Sequence, residues 1–124
     1  MSDSPYQYFD LHELSCSCCG DMAMVDEFMA KVVAMRRELG FPFVVTSAYR
    51  CPEHNNQVST TGADGPHTTG RALDVAVSYE QAHRFLKSAL EYGMMGIGIN
   101  QRGSSRFIHI DDLKTAGRPR VWSY

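Results

Sequence analysis

The sequence predicts an α+β fold: two main helices packed on a small, mainly antiparallel sheet. Three observations carry this. Two segments, around 25–39 and 82–90, repeat apolar residues at three- and four-residue spacing, as helices with one buried face do. Between and after them lie runs of five to seven residues, rich in β-branched and aromatic side chains, that suit strands. The last two of these runs flank Asn100-Gln101-Arg102-Gly103, which has hairpin composition. At 124 residues the chain is long enough for one core, so it is expected to form one domain over 1–124, with 1–20 as an amino-terminal arm.

The arm carries Tyr6, Tyr8, Phe9, Leu11 and Leu14 and reads as an extended segment laying aromatics on the domain. Gly20-Asp21 opens the first helix, with Asp21 as its N-cap. Val25, Phe28, Met29, Val32, Val33 and Leu39 form its inner face, while Asp26, Glu27, Lys31 and Arg37 face out. Gly40 supplies a left-handed C-cap and Pro42 blocks continuation. Phe43–Tyr49 is a strand that delivers Arg50, and Pro52 begins a short helical turn. Residues 57–70 form a loop long enough to be functional. Arg71–Val77 reads as a strand buried on both faces. Ser78 and Gln81 make a capping box for a helix running to about Tyr92, with Ala82, Phe85, Leu86, Ala89 and Leu90 inward and Gly93 as its stop. Met94–Ile99 and Phe107–Asp111 form the hairpin, and the tail from Arg118 adds an edge strand, where Pro119 is tolerated.

A net charge of −2 gives no footing for nucleic acid or an anionic membrane. No apolar run approaches the ~20 residues of a membrane span, and the amino terminus lacks the basic and apolar regions of a signal peptide. Synthesis in the cytoplasm and a monomeric state are the expectations. Cys16, Cys18 and Cys19 are too crowded for a pair of standard CxxC zinc arms, and no second arm follows. With Cys51 they are free thiols, contribute a disulfide to Cys51, or form a second metal site.

His67 lies in a glycine-flanked loop, Asp74 inside an apolar strand, and His109 in the last apolar run. An ionised carboxylate in such a strand is costly unless paired or bound to metal. Two histidines and a carboxylate are a usual protein ligand set for catalytic zinc, with the fourth position left to water. The plain alternative pairs Asp74 with an arginine and leaves His109 a satisfied core histidine. Along 107–111 the period of two places Phe107, His109 and Asp111 on one face.

These residues form a familiar pattern. His67-Thr-Thr-Gly70-Arg-Ala72-Leu-Asp74 resembles the His-x-x-Gly-x-Ala-x-Asp motif of zinc D-Ala-D-Ala carboxypeptidases and related murein peptidases, the M15 group, whose fold is shared with the hedgehog amino-terminal domain. Thr46-Ser47-Ala48-Tyr49-Arg50 with Asn55 resembles that group's Ser-x-Tyr-Arg segment, Gly96-Ile97-Gly98-Ile99 its glycine-containing strand, and Phe107–Asp111 its terminal His-Val-Asp segment. Leu11–Leu14 with Cys16 and Cys18 is similar to the start of small, phage-type members.

The resemblance implies one zinc per chain, held by His67, Asp74 and His109. It implies a substrate site including Tyr49, Arg50 and Asn55, with Arg50 gripping a carboxylate or peptide carbonyl through its planar fork. The reaction implied is hydrolysis of D-amino-acid-containing bonds in the stem peptide of bacterial peptidoglycan, through a water activated by zinc. The enzyme would then act on the cell wall, after phage-induced release. Two positions depart from the group. Gly65 stands where many members have serine, and Arg106 stands three residues before His109, where several relatives place the general base. Asp111 is the replacement base offered by the sequence, or else a carboxylate orienting His109. Without a base the same scaffold would be a zinc-containing murein-binding module.

Overall fold

The computed structural model describes residues 6–58, 65–115 and 117–124. It is α+β. Among the described residues, four helices, α1 (Leu11–Leu14), α2 (Asp26–Leu39), α3 (Pro52–Val58) and α4 (Tyr79–Glu91), accompany five strands: β1 (Val44–Ser47), β2 (Ala72–Ala76), β3 (Gly96–Asn100), β4 (Phe107–Asp111) and β5 (Arg120–Ser123). The strands form one open sheet in the order β1-β2-β4-β3-β5. Every neighbouring pair is antiparallel except β3 and β5, which run parallel.

Strand alternation decides what each sheet face does. Ile108 and Ile110 of β4, with Leu73 and Val75 of β2, join Phe28, Met29 and Val32 of α2 and Phe85 and Ala89 of α4 in one apolar core. Burying each such large side chain is worth roughly 1.5–3 kcal/mol. The alternate residues, Asp74 and His109, therefore face away from that core. Asp112, beyond the end of β4, takes a different direction: its carboxylate receives Lys31 at 3.0 Å and Arg71 at 2.9 Å.

Several elements differ from expectation. Helix α2 begins at Asp26 with Val25 at its N-cap, so Asp21 does not cap it. The segment before it is held extended by other bonds: the Asp21 carbonyl accepts from Cys16, and the Val25 N–H donates to the Gly70 carbonyl. The arm contains α1, capped by Asp10 through the His12 N–H, and it buries Leu14 completely. Ser78 occupies the N-cap of α4 but makes no side-chain cap bond. Leu90 is exposed while Ser88 is buried, so the inner face of α4 is rotated from the one expected. In β1 the register shifts between Val45 and Ser47, a bulge that redirects the strand end. Beyond it the Arg50 N–H donates to the His67 carbonyl at 3.2 Å, tying the β1 exit to the 3-10 turn Pro66–Thr69. Of the loop expected at 57–70, residues 59–64 lie outside the described residues.

Candidate metal centre

The sheet register builds the site. Asp74 of β2 stands opposite His109 of β4, His109 opposite Gly98 of β3, and Gly98 beside Trp122 of β5. Residues opposite one another on neighbouring strands share a face, so this row runs straight across four strands. The 3-10 turn brings His67 over its Asp74 end. His67 Nε2 lies 3.3 Å from Asp74 Oδ1, and His109 Nδ1 lies 2.9 Å from the same oxygen. The two rings stand nearly edge to face, with centroids 5.1 Å apart.

The far nitrogen of each ring is already engaged. His67 Nδ1 lies 2.7 Å from the Ala48 carbonyl and His109 Nε2 lies 2.8 Å from Asp111 Oδ2. Both partners are acceptors, so both far nitrogens donate. When the rings are neutral, His67 Nε2 and His109 Nδ1 are left as lone pairs aimed at a carboxylate oxygen. Three electron-rich atoms thus converge on one point, which a proton or a cation must occupy. Tetrahedral zinc with ligands at 2.0–2.1 Å sets its ligand atoms about 3.3 Å apart, close to the separations seen. The donor set fits zinc, and His67, Asp74 and His109 form one of two such clusters among the described residues.

The electrostatics agree. Burial pushes the Asp74 carboxyl up, but hydrogen bonds from His109 and His67 and their charge hold it well below the usual carboxylate range. Burial pulls the His109 imidazole down, but Asp111 and Asp74 together hold it above its ordinary value. Asp111 is pushed up by burial and brought below its ordinary value by His109 and Arg118.

Asp111 does not reach into the cleft. Its side chain is fully buried behind His109, where Arg118 clamps both oxygens at 3.0 and 2.9 Å. Its near neighbour across the ladder is Gly96, where an added methyl would overlap the carboxylate. Arg50 does line the cleft. Its Nη1 donates to the fully buried Asn55 and its Nε to Ser47, which hold Nη2 4.0 Å from Asp74 Oδ2. Asn55 thus positions Arg50 from behind and does not line the cleft. Tyr49 is not at the site either. Its ring packs against the core, where burial first, and then the charges at Cys51 and Asp21, raise its pKa. Arg106 packs its guanidinium over Tyr79, away from His109. His54 lies 3.2 Å from Ser17, also outside the cleft.

The cleft holds about 690 Å³, a volume suited to a small ligand or peptide segment. Its other wall comes from the tail, which the sequence offers only as an edge strand. Trp122 stacks 5.2 Å from His109 and Tyr124 packs 5.0 Å from Phe107. Arg118 and Arg120 lie over the indole at 5.2 and 5.9 Å. The sequence signal was Gly98: any side chain there would strike Trp122 and Tyr124.

None of the curated proteins compared matches the chain. The model of the peptidase M15 family, by contrast, matches residues 7–111, from the arm through the last residue of β4. It spans His67, Asp74 and His109, and peptidases of this family depend on zinc. This chain therefore belongs to the peptidase M15 family, a family of zinc-dependent metallopeptidases.

Proposed function

We propose that the chain hydrolyses D-amino-acid-containing peptide bonds in the stem peptide of bacterial peptidoglycan, as a D,D-carboxypeptidase or endopeptidase of the cell wall. The observation that carries this reading is Arg50. A guanidinium fixed by Ser47 and Asn55, facing the cleft beside Asp74, is placed to take a peptide carboxylate or carbonyl with its planar fork. The resemblance of the His67–Asp74 motif to murein peptidases supplies the substrate class.

Zinc held by His67, Asp74 and His109 would supply Lewis-acid polarisation of the scissile carbonyl and a water acidic enough to attack it at neutral pH. The remaining work belongs to this chain's residues. Asp111 acts as a positioning residue: it fixes the tautomer and tilt of His109 and takes the charge of Arg118. Trp122 and Tyr124 wall off the far side. Arg50 orients the substrate.

A second reading rests on one specific observation. Among the described residues, Asp74 is the single carboxylate lining the cleft, and it is engaged by both histidines. A scaffold without a base would bind murein and not cut it. Incubating zinc-loaded protein with purified peptidoglycan, and weighing the released fragments by mass spectrometry, separates the two. Release of stem-peptide fragments or free D-Ala that stops with chelator supports the peptidase. Sedimentation with the wall and no release supports the binding module.

A further inference from the structure

We propose that Cys16, Cys18, Cys19 and Cys51 hold a second, structural zinc ion, which fastens the amino-terminal arm to the segment that carries Arg50. One sulfur from each of the four lies within 4.8 Å of the other three. The closest separations are 3.3 Å for Cys18 and Cys51, 3.5 Å for Cys16 and Cys18, and 3.7 Å for Cys16 and Cys51. Zinc–thiolate bonds near 2.3 Å in a tetrahedron put sulfurs about 3.8 Å apart. The cluster is therefore near the size of a closed four-sulfur site.

The backbone supports that geometry. Cys16-Ser17-Cys18-Cys19-Gly20 contains a Cys-x-x-Cys step, a common zinc-binding spacing. The loop closes on itself: Gly20 donates to the Cys16 carbonyl at 2.8 Å and Cys16 donates to the Asp21 carbonyl at 2.7 Å. Gly20 takes the left-handed φ of 77° that such a tight return needs. The Cys51 N–H points at Cys16 Sγ from 3.3 Å, a contact that favours a thiolate. A disulfide would use two of these sulfurs and leave the convergence of the other pair without purpose. Cys18 and Cys19 are exposed, so the net negative charge of a tetrathiolate site is solvated.

The site also has structural work to do. Helix α1 and the strand exit meet through the Tyr49 N–H and Leu14 carbonyl at 3.3 Å. Cys51 is the residue after Arg50, so an ion there fixes the chain on the arm's side of the cleft. Because four sulfurs close the coordination shell, no position is left for water or substrate, and the ion is structural.

Protein purified with reductant and zinc tests this. Wild type should carry one zinc beyond that of the cleft. The His67→Ala, His109→Ala variant should keep that ion, and adding Cys18→Ser and Cys51→Ser should remove it. Because the ion is counted in a chain lacking the cleft ligands, the result stands apart from any outcome with peptidoglycan. If the cysteine variant does not fold, two measurements on wild type still decide. Cobalt-loaded protein should show intense sulfur-to-metal charge-transfer absorption, and Ellman's reagent should react slowly with the thiols until a strong chelator is added. A His67→Ala, His109→Ala variant without metal, cobalt protein lacking that absorption, immediate reaction of all four thiols in folded protein, or a mass short by the hydrogens of a disulfide would each overturn the proposal.

Discussion

The floor of the cleft and its outer wall are built on opposite terms. On the floor, Asp74 and His109, with Asp111 behind them, are buried, and each is bonded to at least one other charged or titratable partner. In the outer wall, Trp122 is half-buried and Tyr124 and Arg120 are exposed, held by stacking on an edge strand. Stacking of this kind is worth about 0.5–1.5 kcal/mol a pair, whereas breaking a buried ion pair costs about 3–5 kcal/mol. The floor should therefore tolerate almost no change, and the wall should tune binding.

The largest effect should come from His67→Ala with His109→Ala. Metal analysis should show loss of the cleft zinc, and peptidase turnover should fall to background. Retention of that ion would remove the assignment. Next is Asp111→Asn, which leaves the half-buried Arg118 without its counter-charge. Zinc affinity should weaken roughly 10–100-fold, and added zinc should restore most of the rate. Normal affinity with turnover down about 100- to 10,000-fold at saturating zinc would instead make Asp111 a base, contrary to its place behind His109.

Acidity probes the same floor. In the metal-free chain His109 has a raised pKa, so its contribution to stability is complete below its ordinary value and fades as pH rises through the folded one. Asp74 and Asp111 have lowered values, so theirs is present above the ordinary carboxylate range and fades as pH falls through the folded ones. Zinc must displace the His109 proton, so its affinity should fall about tenfold per pH unit while that proton is bound. A pH-independent affinity would show that His109 is no ligand. Arg50→Lys keeps the charge and loses the fork. Activity should drop about tenfold, near 1.4 kcal/mol, with zinc content unchanged.

How much of this was legible follows the same division. The floor shows in the sequence because ionisable residues inside apolar strands, Asp74 and His109, stand out against their own pattern, and period two on β4 is local. The use of Asp111 was ambiguous because the sequence does not show that Arg118, seven residues on, returns to clamp it. The packing of Tyr49 against the core was hidden because the register of β1 shifts between Val45 and Ser47, and such a shift has no signature in Phe43–Tyr49. The wall stayed hidden because it depends on β5 crossing to lie parallel to β3, a non-local pairing. The cysteines read as crowded for a related reason: Cys51 joins the other three only after α1 docks on β1.

Two glycines on β3 give the sharpest test of floor against wall. Gly96 lies beneath Asp111 and Gly98 beneath Trp122, two residues apart on one strand. A methyl at Gly98 would come within 2.6 Å of Trp122 Nε1 and 2.8 Å of the Tyr124 hydroxyl. Both rings sit on an edge strand open to solvent and can move outward. Gly98→Ala should therefore raise KM by about fivefold, near 1 kcal/mol, with kcat and zinc content unchanged. A methyl at Gly96 meets a carboxylate boxed between His109 and Arg118, with nowhere to go. Gly96→Ala should cost roughly 1–3 kcal/mol of stability from overpacking alone, and it should weaken zinc binding by tilting His109. Measuring KM, zinc affinity and melting temperature for both variants decides the matter. If Gly98→Ala loses zinc, or Gly96→Ala changes KM alone, then the wall carries the chemistry assigned to the floor.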